Sequence, residues 1–528
     1  MKITVKTFHL YVETDNLGIL ERIDKHFAVP VPNYWFTDDY KLGRWDGRKH
    51  FFSISKQRMY SGLLSRLVSF CIDNGFEYQI EDLRSPLDKD VEIVTQFGKF
   101  SITDPMYDYQ YETVKRLINH GVGVAEIATN GGKTLIATSL IASLKKPTLF
   151  VVGTKDLLYQ SSVFFKNYLP DVEVATYGSG KKKDRAEVTV GMVQSLSNIS
   201  SSNWFKYFDI IIFDEAHHVP ADTFTKVALK CPARYRFGLS GTAFEGDPVR
   251  DYALIGHTGE SLIKVTNGEL IARGVSAVPK IIFSYSAGNY LSDVKTYHNA
   301  VKRGIVNNPK RTEEIANLVK KLRSEGENIL VISAYTTHGR ELERALEDEV
   351  DPLYFSNGTV PDFVRERNMD DFREYGGVMI ASTIYDEGVS FPDINSLILV
   401  SGQKKERKFL QRIGRALRKK KGDNVVKIFD YIDWLHPYLE RHTLQRFALY
   451  MREGFEVTGI DEDAQKWVDE RELEYNEGKI DNPFENEPKP DLEAQKILKK
   501  KKVAYNNNPK IKANLIRQKY LQMKNKNK

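Results

Sequence analysis

Among the residues able to do chemistry, the first group is Gly131-Gly132-Lys133-Thr134, which opens the helix-compatible stretch starting at Leu135. Small residues let backbone N–H groups close around an anionic oxygen, and a helix N-terminus favours negative charge. The Lys133 ammonium can then reach the terminal phosphates of a nucleotide, while the Thr134 hydroxyl can ligate Mg²⁺. The full phosphate-loop pattern wants Gly six residues before the lysine, where this chain has Ile127. On this tetrapeptide alone, a glycine turn capping an ordinary helix is the competing explanation.

A second group, Asp214-Glu215-Ala216-His217, follows the apolar run Phe208-Asp209-Ile-Ile-Ile-Phe213 directly. Continuous apolar runs mark strands covered on both faces, and in parallel α/β sheets the ligand crevice lies at the carboxyl ends of the strands. Asp214 can therefore hold a Mg²⁺ shell, with Glu215 placed to orient or deprotonate an attacking water. A third group lies at Gln411-Arg412-Ile413-Gly414-Arg415-Ala416-Leu417-Arg418. Arg415 and Arg418 share one face of a helix, and a guanidinium donates bidentately to phosphate. Lys419, Lys420 and Lys421 continue the charge, so in isolation a solvated or nucleic-acid-facing basic surface is the simpler explanation of this stretch.

In this order the three groups resemble the motifs of superfamily 2 helicases and translocases. The resemblance extends to Tyr107-Asp108-Tyr109-Gln110, similar to the family's adenine-reading segment, with Gln110 as the base contact, and to Leu239-Ser240-Gly241-Thr242, similar to the element that couples hydrolysis to strand movement. It implies nucleotide contact by Tyr107, Gln110, Thr129, Asn130, Gly131, Gly132, Lys133, Thr134, Glu387 and Gly388, and coupling through His217, Ser240 and Thr242. Val151-Val152-Gly153-Thr154-Lys155 and Val190-Gly191-Met192-Val193-Gln194 resemble the first lobe's strand-binding segments, and Ile380-Ala381-Ser382-Thr383 through Asp386-Glu387-Gly388 the motif between the lobes. Thr154, Lys155, Gln194 and Thr383 would then hold nucleic-acid phosphates. The chain departs from the family pattern at Ile127 and Asn130, where a small residue and Gly are commoner. ATP and Mg²⁺ are the implied cofactors.

These residues need scaffolds to position them. With 528 residues and 41% hydrophobic content, the chain can bury several cores, and three or four domains are expected. Strands near 149–152, 188–192 and 209–213 alternate with helix-like segments, which predicts a parallel sheet. After Gly274 the pattern restarts with Lys280-Ile-Ile-Phe-Ser, Asn328-Ile-Leu-Val-Ile-Ser, Val378-Met-Ile-Ala-Ser, Ser396-Leu-Ile-Leu-Val and Val425-Val-Lys-Ile-Phe. The expected fold is α/β: two tandem RecA-like parallel-sheet motor lobes over 96–275 and 276–435, a small α+β N-terminal domain over 1–95, and a helical C-terminal region over 436–528 with a basic tail. No 20–50-residue repeat is evident, which disfavours a solenoid.

No run of 18 apolar residues occurs and charge interrupts the N-terminus, so a soluble, cytoplasmic protein is expected, in the host cytoplasm if phage-encoded. Cys71 and Cys231 are the only cysteines and read as small buried hydrophobes, leaving neither a disulfide framework nor a zinc cluster. The net charge of +6 is less informative than its distribution: from Lys496 to Lys528 there are twelve Lys or Arg and no Asp or Glu. That tail can pair with phosphates or simply solvate a terminus, and the spacing of Leu492, Ile497 and Leu498 permits an amphipathic helical start.

Ahead of the motor motifs, Tyr34-Trp35-Phe36 and Leu42-Gly43-Arg44-Trp45-Asp46-Gly47-Arg48-Lys49-His50-Phe51-Phe52 interleave aromatics with cations, followed by an amphipathic helix near 61–74. Such interleaving suits base stacking and phosphate contact through Arg44, Trp45, Arg48 and Lys49. A hairpin whose Trp and Phe fill a small core is the alternative. The Gly-x-Trp-Asp-Gly-Arg turn resembles the N-terminal domain of the UvsW-like recombination helicases of T-even phages, a resemblance covering nearly the whole chain. It implies an ATP-dependent DNA helicase or translocase that remodels branched or forked DNA in recombination, repair or replication, and the protein is expected to be monomeric. An RNA helicase remains open, since Asp-Glu-Ala-His does not identify the sugar. So does an ATP-switched binding protein with little unwinding, although Glu215 and Arg415 argue against a pure switch.

Overall fold

Each expected central strand of the first lobe forms within a residue or two of its predicted place: Thr148–Val152, Val188–Met192 and Ile210–Asp214. The computed structural model describes residues 1–182, 185–244, 246–382, 394–401, 413–414, 417 and 424–480. In spatial order the first sheet runs Lys181–Lys182, Val174–Gly178, Val188–Met192, Thr148–Val152, Ile210–Asp214, Tyr235–Ser240, Val122–Ile127 and Ser261–Val265. All neighbours pair parallel except the short Lys181–Lys182 edge. Every residue of Ile210–Asp214 is buried, and the side chains alternate between two cores. Ile210 and Ile212 pack with Ile136, Phe150 and Phe165 on one face, whereas Ile211 and Phe213 pack with Leu149, Val151 and Phe224 on the other. An uninterrupted apolar run is what such a doubly covered strand requires.

The second sheet has seven strands, ordered Leu353–Ser356, Val378–Ala381, Ile329–Ile332, Ser396–Leu399, Val425–Ile432, Val278–Tyr285 and Glu456–Gly459, all neighbours parallel. Helices Pro437–Arg452 and Glu462–Asn476 follow strand Val425–Ile432 in the chain. Between them, Glu456–Gly459 adds to the second sheet beside Val278–Tyr285, so the segment after 436 is not helical throughout. Trp467 and Phe447 pack at tilted angles against Phe283 and edge-on against each other, tying these helices to that edge.

At the N-terminus, strands Arg58–Tyr60, His9–Glu13, Lys2–Val5 and Gln79–Asp82 form a mixed four-stranded sheet backed by helices Leu17–His26 and Leu64–Asp73. The hydrophobic face of the second helix, Leu67, Phe70 and Cys71, is buried in that core. Arg48–His50 pairs antiparallel with Ala28–Pro30, rather than with the residues just ahead of the Trp45 turn. The intervening excursion carries the short turns Tyr34–Phe36 and Asp38–Lys41. This unit is bonded to the first lobe through helix Pro248–Thr258, whose Ile255 lies in the N-terminal core. Arg66 clamps Glu260 at 2.7 and 3.2 Å beside it. Both cysteines are buried and unbridged. Among the described residues no helix is long and apolar enough to cross a membrane.

Candidate nucleotide and nucleic-acid site

The loop joining strand Val122–Ile127 to helix Lys133–Leu144 takes left-handed backbone at Asn130 (φ 71°) and Gly132 (φ 81°), and Gly132 caps the helix. A Cβ on Gly132 would strain the left-handed backbone and fall 2.2 Å from Gln110 Nε2, displacing that amide. Gln110 Nε2 donates to the Gly131 carbonyl at 3.0 Å, and the Tyr109 hydroxyl donates to the same oxygen at 2.9 Å. Burial pushes the Tyr109 phenol up, keeping it a donor. Helix Asp108–His120 begins at a half-buried Tyr107 and so braces the loop from behind. Gln110 Oε1 is buried without a hydrogen-bond partner among the described residues. Such an acceptor suits the exocyclic amine of an adenine.

Asp214 ends its strand, 8% exposed, and accepts the backbone N–H of Glu215 at 3.1 Å. Glu215 itself takes a left-handed φ of 49° as the strand turns into Ala216–His218, a conformation that costs free energy for any residue with a Cβ. Its Oε1 stands 3.6 Å from Lys133 Nζ, and its Oε2 lies 3.4 Å from His217 Nδ1 without forming a hydrogen bond. His217 Nδ1 hydrogen-bonds the buried Ser240 hydroxyl at 2.9 Å. The Thr242 hydroxyl is a buried oxygen with no partner among the described residues. Lys133, Glu215, His217 and Ser240 thus form one connected set, and Asp214 and Thr134 supply hard oxygen donors next to it. No set of three His, Cys, Asp or Glu side chains able to hold a metal occurs among the described residues. That donor set fits Mg²⁺, which takes one or two protein oxygens and completes its shell with phosphates and water.

Sequence reasoning missed Arg250, in helix Pro248–Thr258, whose Nη2 donates to the His217 carbonyl at 3.1 Å. It also passed over Tyr109 as a loop brace, and Arg273, which pairs with Asp108 at 2.5 Å and lies over the Tyr109 ring. Tyr109 stood within the quoted Tyr-Asp-Tyr-Gln run; the arginines carry no local signature. Gln411, Arg415, Arg418, Thr383, Glu387 and Gly388 lie outside the described residues, as do Leu492, Ile497, Leu498 and the basic tail. Ile413 and Gly414 are described, and Gly414 abuts the phosphate loop.

The nucleic-acid candidates divide into two places. Strands Thr148–Val152 and Val188–Met192 are parallel neighbours, so the segments after them emerge together. Gln194 Nε2 donates to the Gly153 carbonyl at 3.0 Å. Thr154 caps helix Lys155–Tyr168 by accepting from the Leu157 N–H, and Lys155 is exposed. In the N-terminal unit Trp45 is half-buried, with its indole N–H donating to the Arg48 carbonyl at 2.8 Å. Arg44, Arg48 and Lys49 are exposed around it, Arg44 within 3.4 Å of Asp39 and Arg48 donating from Nη1 to the Ala28 carbonyl. Phe51 and Phe52 fill the N-terminal core, whereas the Arg44, Arg48 and Lys49 side chains are exposed.

Two family models match the chain: "Type III restriction enzyme, res subunit" over residues 103–245 and "Helicase conserved C-terminal domain" over 310–420. The chain is 25% identical over 472 residues to the ATP-dependent DNA helicase uvsW of Enterobacteria phage T4, covering 81% of this chain and 93% of that protein. It is 27% identical over 357 residues to the DNA 3'-5' translocase XPB2 of Sulfurisphaera tokodaii, covering 59% and 78%. A structure assigned to an HsdR subunit of a type I restriction enzyme from Vibrio vulnificus superposes with a TM-score of 0.53 at 17% identity, covering 79% of this chain and 76% of that one.

Proposed function

We propose that the chain is a superfamily 2 helicase and, within that family, an ATP-driven DNA helicase or translocase acting on forks and junctions. The observation that carries the branched-DNA part is the basic Arg44-Trp45-Arg48-Lys49 turn, displayed on a unit bonded to the first motor lobe beside the ATP motifs. A motor needs no such unit to hydrolyse ATP. The likeness to a phage DNA helicase over most of both chains supports the same reading.

In this reading Lys133 and the loop N–H groups hold the β- and γ-phosphates, Gln110 and Tyr107 hold the base, and Glu215 takes the proton of the attacking water. Mg²⁺, held by Thr134 and Asp214, would neutralise charge developing on the phosphate oxygens. His217 and Ser240 link the hydrolytic strand end to its neighbouring strand. Gln411, Arg415 and Arg418 belong to the second lobe by sequence, so hydrolysis requires the lobes to close, and that requirement ties turnover to movement. An arginine supplied across a cleft contributes roughly 10³–10⁵ in rate in related phosphoryl transfer. Thr154, Lys155, Gln194 and Thr383 hold the polynucleotide by its phosphates, largely without regard to sequence.

Steady-state ATPase with forked DNA, a four-way junction, linear duplex, single-stranded DNA and RNA of matched length tests the proposal. Greatest stimulation and unwinding on the forked or four-way substrates is expected. Equal stimulation by every DNA removes the branched preference, and stimulation by RNA alone replaces the substrate class.

A further inference from the structure

Asn130 holds a left-handed φ of 71° in the phosphate loop, where Asn is tolerated better than most side chains but Gly costs less. What Asn offers that Gly lacks is an amide. Its Nδ2 donates to the Gly414 carbonyl at 2.6 Å, joining residues 284 positions apart. Gly414 lies inside the Gln411–Arg418 motif of the second lobe. A Cβ on Gly414 would stand 2.6 Å from Thr129 Cβ and 2.9 Å from its Oγ1, closer than real Cβ atoms come, so only glycine seats there. Two consecutive loop residues therefore meet one residue of the arginine motif, Asn130 by a hydrogen bond and Thr129 by direct packing.

We infer that Asn130 is a positioning residue that docks the second lobe onto the phosphate loop through the Gly414 backbone, rather than binding the nucleotide itself. The departure from glycine at 130 and the glycine at 414 are then two halves of one contact. A separate bridge, Asn267 Nδ2 to Glu453 Oε2 at 3.1 Å, also joins the first lobe to the residue that caps helix Pro437–Arg452. The consequence for turnover rests on the proposed composite ATP site; the docking itself does not.

Exposed Lys166 and Asp348, one on each lobe, can be replaced by cysteines for a donor and acceptor dye in the full-length chain, because Cys71 and Cys231 are buried. Energy transfer is read without nucleotide in parent, Asn130→Gly, Gly414→Ala and Thr129→Gly/Gly414→Ala backgrounds, and ATP turnover is measured for parent and Asn130→Gly. Asn130→Gly should broaden and shift the distance distribution and lower kcat roughly three- to tenfold, the worth of one hydrogen bond, with KM for ATP within about twofold. Gly414→Ala should disturb the distribution likewise, and adding Thr129→Gly should restore it. An Asn130→Gly distribution and kcat equal to the parent's overturn the inference. So does a raised KM with unchanged kcat and transfer, which would make Asn130 a nucleotide ligand. A parent without ATPase activity would defeat the functional reading, whereas the transfer measurements would still decide the docking.

Discussion

Two adjacent carboxylates at one strand end are set apart by their backbones. Asp214 keeps strand geometry and stays buried, while Glu215 turns left-handed and brings its carboxylate to within 3.6 Å of Lys133 Nζ. Glu215→Gln should therefore keep ATP binding and lose roughly 10²–10⁴ in kcat, since the amide is nearly isosteric but takes no proton. Lys133→Ala should abolish turnover with DNA binding largely retained, as filter binding alongside phosphate release would register. Weak nucleotide binding by Glu215→Gln would instead make that side chain structural. Arg415→Ala and Arg418→Ala should each cut kcat far more than ATP affinity, because contacts formed on closure act on the transition state. Lys419→Ala is the control, and a surface helix predicts the same small effect for all three. Lys133, Asp214 and Glu215 could be read from sequence because each lies in a short local signature. Arg250, and Asn130 as a donor to Gly414, could not, since their partners are brought near only by folding.

Helix Pro248–Thr258 faces two bodies at once. Arg250 donates to the His217 carbonyl on one side, and Ile255 is buried in the N-terminal core on the other. Arg250→Ala should lower DNA-stimulated kcat roughly three- to tenfold, a half-exposed charged hydrogen bond being worth less than a buried one. Melting temperature and KM for ATP should move little; a kcat equal to the parent's removes the helix from the coupling path. Within the N-terminal unit His50 Nδ1 lies 2.8 Å from an Asp24 carboxylate oxygen and Nε2 3.0 Å from Asp46, so the protonated ring can donate to both and link helix Leu17–His26 to the Trp45 turn. Burial lowers its pKa, but the bonds and charges of Asp24 and Asp46 together outweigh that and raise it above 6.5. A raised folded pKa means the clamp stabilises fully below pH 6.5 and fades as pH climbs through the folded value. The melting-temperature gap between parent and His50→Gln should thus be widest near pH 6 and close toward pH 8.5; a pH-independent gap would leave His50 uncharged. The central strands could be read because they are long apolar runs. Val122–Ile127 hid behind its glycine, alanine and glutamate, and Leu353–Ser356 and Glu456–Gly459 are short edge strands without that pattern.

For the whole molecule the question is what the N-terminal unit adds to an ATP-dependent motor. Removing residues 1–95 is a poor test, because Ile255, Tyr252 and Val249 of the first lobe pack into that unit's core. Stripping it would expose apolar side chains worth about 1.5–3 kcal/mol each when fully buried, and would free the Glu260 partner of Arg66. Surface substitutions leave that interface intact. Arg44→Ala, Arg48→Ala and Lys49→Ala together should weaken binding to a synthetic four-way junction and slow its unwinding, while ATPase stimulated by single strands stays close to the parent's. The deficit should shrink as salt rises, since each lost phosphate contact also removes a counterion release, lowering the log–log salt slope by up to about three. Arg48 also donates to the Ala28 carbonyl, so an Arg44→Ala/Lys49→Ala pair with an unchanged melting temperature separates lost DNA contact from a loosened turn. Unchanged junction unwinding in both variants would leave Trp45 and its neighbours as packing around Phe51 and Phe52, and the protein as a motor without junction preference.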